Sequence, residues 1–117
     1  MFIKQEGDWT KLRTAGQAEL DLHLTSPGRQ YGPREMSYDQ LMDAVHAKTL
    51  EALVAAYEEG KESLLVIHGH STSLPGKRTS RSVVRALMRG KEATPYIVRK
   101  KCVQHGTAFL AHLKQKP

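Results

Sequence analysis

Asp21 and His23 stand two residues apart in the run Ala18-Glu19-Leu20-Asp21-Leu22-His23-Leu24, a spacing that puts both side chains on one face of an extended strand. A carboxylate beside an imidazole holds it in one tautomer and raises its pKa, which suits the ring to acid–base work near neutral pH. A second imidazole pair, His68-Gly69-His70, follows the apolar run Leu64-Leu65-Val66-Ile67 directly. If the two runs are neighbouring strands, His68 comes within reach of His23, so Asp21, His23 and His68 are the candidate catalytic residues. One D-x-H is usually an ordinary polar strand face. Two histidine-bearing strand ends on the same sheet edge tip the balance towards a site.

A third cluster, Gly76-Lys77-Arg78-Thr79-Ser80-Arg81, is a basic loop running into a helix start, where free N–H groups and the positive end of the helix dipole attract anions. Phosphate is the natural guest. At about 100° per residue, Arg78, Arg81, Arg85 and Arg89 fall within a wedge of roughly 80°, separate from Val83, Val84 and Leu87. Solvated helix faces usually mix signs, yet residues 76–91 contain neither Asp nor Glu. The stripe therefore reads as a nucleic-acid backbone contact through Lys77, Arg78, Arg81 and Arg85, and Gly69 and His70, at the second strand end, complete the candidate binding residues.

The elements that must position these groups follow from periodicity. Residues 1–17 are polar, with Trp9 as the large apolar anchor, and read as an N-terminal extension to a domain at 18–117. Leu20, Leu22 and Leu24 alternate with Asp21 and His23 as in a first strand. The next stretch, TSPGRQYGPRE, has the Gly and Pro content of an exposed loop. Ser37 and Gln40 fit a capping box, Leu41, Met42, Val45, Thr49, Leu53 and Tyr57 keep helical spacing, and Gly60 supplies a left-handed stop, so a helix is expected over about 38–59. Leu64–Ile67 suits a second strand buried on both faces. Thr79 or Ser80 caps a second helix that ends before Gly90. YIVRKKCV and TAFLAHL, joined by a tight turn, read as an antiparallel hairpin. The expected architecture is an α/β two-layer β-α-β-α-β-β domain with a mixed four-stranded sheet and two main helices.

Composition narrows the partners. The 117 residues carry 18 Lys and Arg against 12 Asp and Glu, a formal charge of +6 that draws anionic partners. The lone Cys102 forms no intramolecular disulfide. No stretch has the length of a membrane span, and the first residues lack the apolar core of a signal peptide. A soluble, cytoplasmic protein with no membrane partner is expected. CxxC, HExxH and EF-hand patterns are missing, so no metal ligand is assigned and Mg²⁺ is the one cofactor left open.

The residues also carry a resemblance. Leu20-Asp21-Leu22-His23 resembles the LDLH motif that opens small MutS-related (Smr) domains, and Val66-Ile67-His68-Gly69 resembles the start of their second signature, usually written HGxGxG. Gly106-Thr107 is similar to the Gly-Thr that leads into the family's last strand. The likeness covers about residues 18–113. It implies the β-α-β-α-β-β fold and endonuclease activity on DNA or RNA, with Asp21 and His23 as the catalytic pair, the His68-Gly69 turn near the backbone, and the ribosome among the partners. Leu24, Ser71 and Ser73 stand where the family has glycine, and glycine permits close backbone approaches that these residues do not. Three function classes thus stay open: an Smr-type endonuclease, a non-catalytic nucleic-acid or ribosome-binding module, and a protein–protein adaptor that would leave the arginine stripe unused.

Overall fold

Leu64-Leu65-Val66-Ile67 is apolar at every position because its strand is covered on both faces. In the computed structural model, which describes residues 2–22, 38–69 and 79–115, strand β3 (Ser63–Ile67) is buried throughout. It pairs in parallel with β2 (Gln17–Asp21) and antiparallel with β5 (Ala108–His112). The sheet continues through β4 (Val103–Gln104), antiparallel to β5, to β1 (Ile3–Lys4), parallel to β4. The order is β1-β4-β5-β3-β2.

The two helices share one face. In α1 (Tyr38–Glu58) the residues Met42, Val45, Thr49, Leu53 and Ala56 are buried at three- and four-residue spacing, the amphipathic signature of a helix on a sheet. Gly60 at φ +74° ends it, with Gly60 N–H donating to Tyr57 and Lys61 N–H to Ala56, the Schellman pattern that a left-handed residue allows. In α2 (Ser80–Arg89), Thr79 is the cap: its hydroxyl accepts from Ser82 N–H at 3.1 Å, and the Ser82 hydroxyl accepts from Thr79 N–H at 2.8 Å. Val83, Val84 and Met88 join the α1 residues over Leu64, Val66, Phe109 and Ala111. The expected Ser37 cap lies outside the described residues.

The opposite sheet face is covered by the N-terminal segment. Leu65, Ile67 and Ala108 are buried there under Leu12 and Trp9, with Val103 and Leu110 beside them. A short 3₁₀ turn at Trp9–Leu12 is held by Asp8, which accepts from Thr10 N–H at 3.0 Å. Gln17 Nε2 donates to Leu12 O at 2.9 Å, and Arg13 pairs with Glu19 at 3.0 Å. Phe2 crosses to the helix side and meets Phe109 edge-on, with centroids 4.8 Å apart. Residues 2–17 are thus built into the domain.

Two expectations are corrected. The sheet has five strands where four were expected, because β1 is recruited by pairing with β4 and leaves no periodic trace in a two-residue strand. YIVRKKCV is also not one continuous strand. Ile97 bridges Leu113 and Val103 pairs with Leu110, so the six-residue step from 97 to 103 faces a three-residue step from 110 to 113. The surplus loops out as a 3₁₀ turn, Arg99–Lys101. Arg99 holds it, donating to Met88 O at 2.9 Å, to Gly90 O and to Thr94 Oγ1 at 2.9 Å. Those carbonyls lie at the end of α2, where unpaired C=O groups and the negative dipole end favour a guanidinium over continued strand pairing.

Candidate functional site

The parallel strands β2 and β3 end level, with Asp21 opposite Ile67, and the carboxyl ends of parallel strands are where α/β sheets place ligands. Beyond Ile67 the backbone N–H groups of His68 and Gly69 both donate to Thr107 O, at 3.1 and 2.9 Å. Gly69 has φ +76°, a conformation that L side chains rarely adopt. His68 is therefore clamped against the turn before β5.

The His68 side chain is 6% exposed, and its Nδ1 lies 2.9 Å from the Gly69 carbonyl. A carbonyl can only accept, so Nδ1 carries the proton and Nε2 presents its lone pair. Nε2 has no hydrogen-bond partner among the described residues. Burial drives the pKa of His68 down from 6.5 to about 4, the Gly69 carbonyl opposes this, Arg85 and Arg81 lower it further, and the Ala108 carbonyl opposes it weakly. The ring is neutral at physiological pH.

Two arginines of α2 close this corner. Arg85 Nη2 donates to His105 O at 3.2 Å, and Arg81 Nη1 reaches Gly106 O at 3.5 Å. Arg85 Nε is buried with no partner among the described residues, and burial followed by Arg81 and Arg89 pushes the Arg85 pKa down. Each guanidinium has five donors in a planar fork, and these contacts use one apiece.

The turn that receives the arginines is fastened by His105, 5% exposed. Its Nδ1 accepts from Thr107 N–H at 3.0 Å, so Nε2 is the protonated nitrogen and donates to Gly7 O at 2.7 Å. The ring links the N-terminal segment to the turn across 98 residues of chain.

The structure brings His68, Gly69, Arg81 and Arg85 together. Asp21 is elsewhere: it is exposed and shares the register of Ile67, whose side chain belongs to the face under Leu12 and Trp9. Alternation then puts Asp21 and His68, one position beyond Ile67, on opposite faces of the sheet end. His23, His70, Lys77 and Arg78 lie outside the described residues. Sequence reasoning missed His105 as a part of the site. The signal was there in the recurring His-Gly dipeptide, at 68–69 and 105–106, whose two copies meet because β3 and β5 are antiparallel neighbours.

Two guanidinium groups with donors to spare can receive an anion, and the neutral His68 ring beside them can take part in holding it only by gaining a proton. Among the described residues no group of three or more His, Cys, Asp or Glu side chains comes together, and no helix is long and apolar enough to cross a membrane. In comparisons with family models, curated proteins and solved structures, nothing matches the chain.

Proposed function

We propose that this chain is an Smr-type nucleic-acid-binding domain that acts in the cytoplasm as an endonuclease on the RNA or DNA backbone, RNA being the better substrate. The observation that carries the reading is the corner made by His68, Arg81 and Arg85 at the carboxyl end of β3. A backbone phosphate seated there takes charge-assisted hydrogen bonds from the arginines, and its negative charge raises the pKa of His68, coupling binding to proton uptake. Gly69, at the strand end, holds a φ of +76° that other residues rarely adopt.

The chemical step is assigned to the LDLH motif. His23, oriented by Asp21, takes the proton of the ribose 2′-OH; the 2′ oxygen attacks phosphorus, the P–O5′ bond breaks, the leaving O5′ takes a proton from water, and the protonated His23 returns its proton to the resulting hydroxide. The products are a 2′,3′-cyclic phosphate and a 5′-hydroxyl. RNA carries this nucleophile itself, so no two-metal cluster is needed, and Mg²⁺ is not required.

A second reading, a binding module for nucleic acid or the ribosome without chemistry, is favoured by one feature: Asp21 lies on the sheet face away from His68. Pure protein incubated with single-stranded RNA, the same RNA with one 2′-deoxy sugar, and plasmid DNA decides between them. Cleavage of RNA that survives EDTA, stops at the 2′-deoxy position, and disappears in Asp21→Asn and His23→Ala with the thermal midpoint and RNA affinity intact is the expected result. Cleavage that needs Mg²⁺ and leaves a 5′-phosphate would overturn the mechanism. Tight RNA binding without any cleavage would establish the binding module.

A further inference from the structure

A second basic site lies at the far end of α2. A cleft of about 410 Å³ opens between β1, β4 and the helix end, lined by Phe2, Lys4, Arg89, Arg99 and Gln104. Its volume falls in the range of small-ligand sites. Three of the five lining residues are cations, and among the described residues none of them is ion-paired with a carboxylate; the pairs there are Arg13–Glu19 and His46–Glu92. Arg99 is offset in part by the carbonyls at the end of α2, and an anion in the cleft relieves the repulsion that remains among the three cations.

The cleft is also more than a charged surface. Arg99 is fixed by its bonds to Met88 O, Gly90 O and Thr94 Oγ1, which use its Nε and Nη2 and leave the donors of Nη1 for a ligand. Phe2, fixed by its contact with Phe109, forms an apolar wall of the cleft, and Gln104 offers an amide that both donates and accepts. Cations for a phosphate, an aromatic ring and an amide for a base edge are the complement of a nucleotide. Arg81 and Arg89 stand eight residues apart on one helix, about 12 Å at 1.5 Å per residue, with Arg85 between them, so the row runs from the His68 corner to this cleft.

The geometry points to the Phe2–Lys4–Arg89–Arg99–Gln104 cleft as a nucleotide subsite that holds one unit of a single strand running along α2 from the His68 corner. Its phosphate lies on Lys4, Arg89 and Arg99, and its base lies against Phe2 and Gln104. The identification of the strand rests on the function proposed above. The cleft itself does not, since the geometry fits a free mononucleotide equally.

The full chain is titrated with adenosine 5′-monophosphate, inorganic phosphate and adenosine, reading amide shifts by NMR, and its affinity for a 12-mer RNA is measured in parallel. The monophosphate shifts Lys4, Arg89 and Gln104, and does so at lower concentration than either fragment. In Lys4→Ala/Arg89→Ala both the monophosphate and the RNA bind about tenfold more weakly, and the salt dependence of RNA binding falls by about one to two units. Arg99 is left in place because it also closes α2. Monophosphate shifts confined to Gly69 and Thr107, or RNA affinity unchanged in the double variant, would overturn the subsite while leaving the His68 corner standing. Wild type that binds no RNA would overturn the proposed function, and the monophosphate arm would then decide the cleft on its own.

Discussion

The two His-Gly turns of this protein differ in how their rings are hydrogen-bonded among the described residues. His68 and His105 are buried alike, at 6% and 5% exposure, and both adjoin the same strand end. His105 uses both ring nitrogens, one accepting from Thr107 N–H and one donating to Gly7 O. His68 uses one, towards Gly69 O, and its Nε2 has no partner among the described residues. A buried ring with both nitrogens satisfied is a staple. One with a lone pair unmatched among the described residues, beside two arginines, is the centre of the site proposed above.

The comparison breaks first on stability. His105→Ala removes the part-buried hydrogen bonds to the Thr107 N–H and the Gly7 carbonyl, so a loss of about 2 kcal/mol is expected, whereas His68→Gln at pH 7 should stay within about 1 kcal/mol of wild type. Urea unfolding of the two variants is the measurement. Equal losses would erase the distinction between staple and site.

Acid sharpens it. The folded pKa of His68 is lowered from 6.5 to about 4, so between those values the unfolded chain binds the extra proton and stability rises with pH. The stabilisation of the neutral ring is complete above pH 6.5 and is lost as pH falls through 4, a loss of up to about 3 kcal/mol at 1.36 kcal/mol per unit. His68→Gln should flatten that part of the stability–pH curve, and saturating RNA should move the ring's NMR titration to higher pH. A wild-type curve already flat from pH 6.5 to 4 would mean that the ring is not desolvated.

The smallest expected effect concerns the arginines that join the two turns. Arg85→Ala removes the bond to His105 O and about 1 kcal/mol of stability, with the salt dependence of RNA binding reduced by about one unit. A stability loss with an unchanged salt slope would assign Arg85 to the turn alone.

Much of the fold was legible in local pattern. The Gly60 stop, the Thr79 cap and the burial of Leu64–Ile67 each follow from a few adjacent residues, because capping, left-handed glycine and strand burial are short-range effects. Neighbouring β2 and β3 were legible too, since the β-α-β order brings such strands together. Of the candidate site, the sequence marked His68, Arg81 and Arg85 by type and spacing, and Gly69 through the resemblance to the HGxGxG signature.

Partnership was decided by the tertiary structure. Ile3–Lys4 became a strand only because Val103–Gln104 offered it an edge 100 positions away, and YIVRKKCV lost its middle to Arg99, whose partners lie on α2 and just beyond it. Helical spacing put Arg81 and Arg85 on one stripe, and only folding turned them onto the carbonyls of residues 105 and 106. Likewise the sequence offered two equivalent His-Gly pairs. Which ring would be satisfied depended on Gly7, a residue that reaches His105 once the N-terminal segment has crossed the back of the sheet. Spacing fixes which way a side chain leaves its own element; what it meets there is set by elements distant in sequence, through contacts that no local pattern encodes.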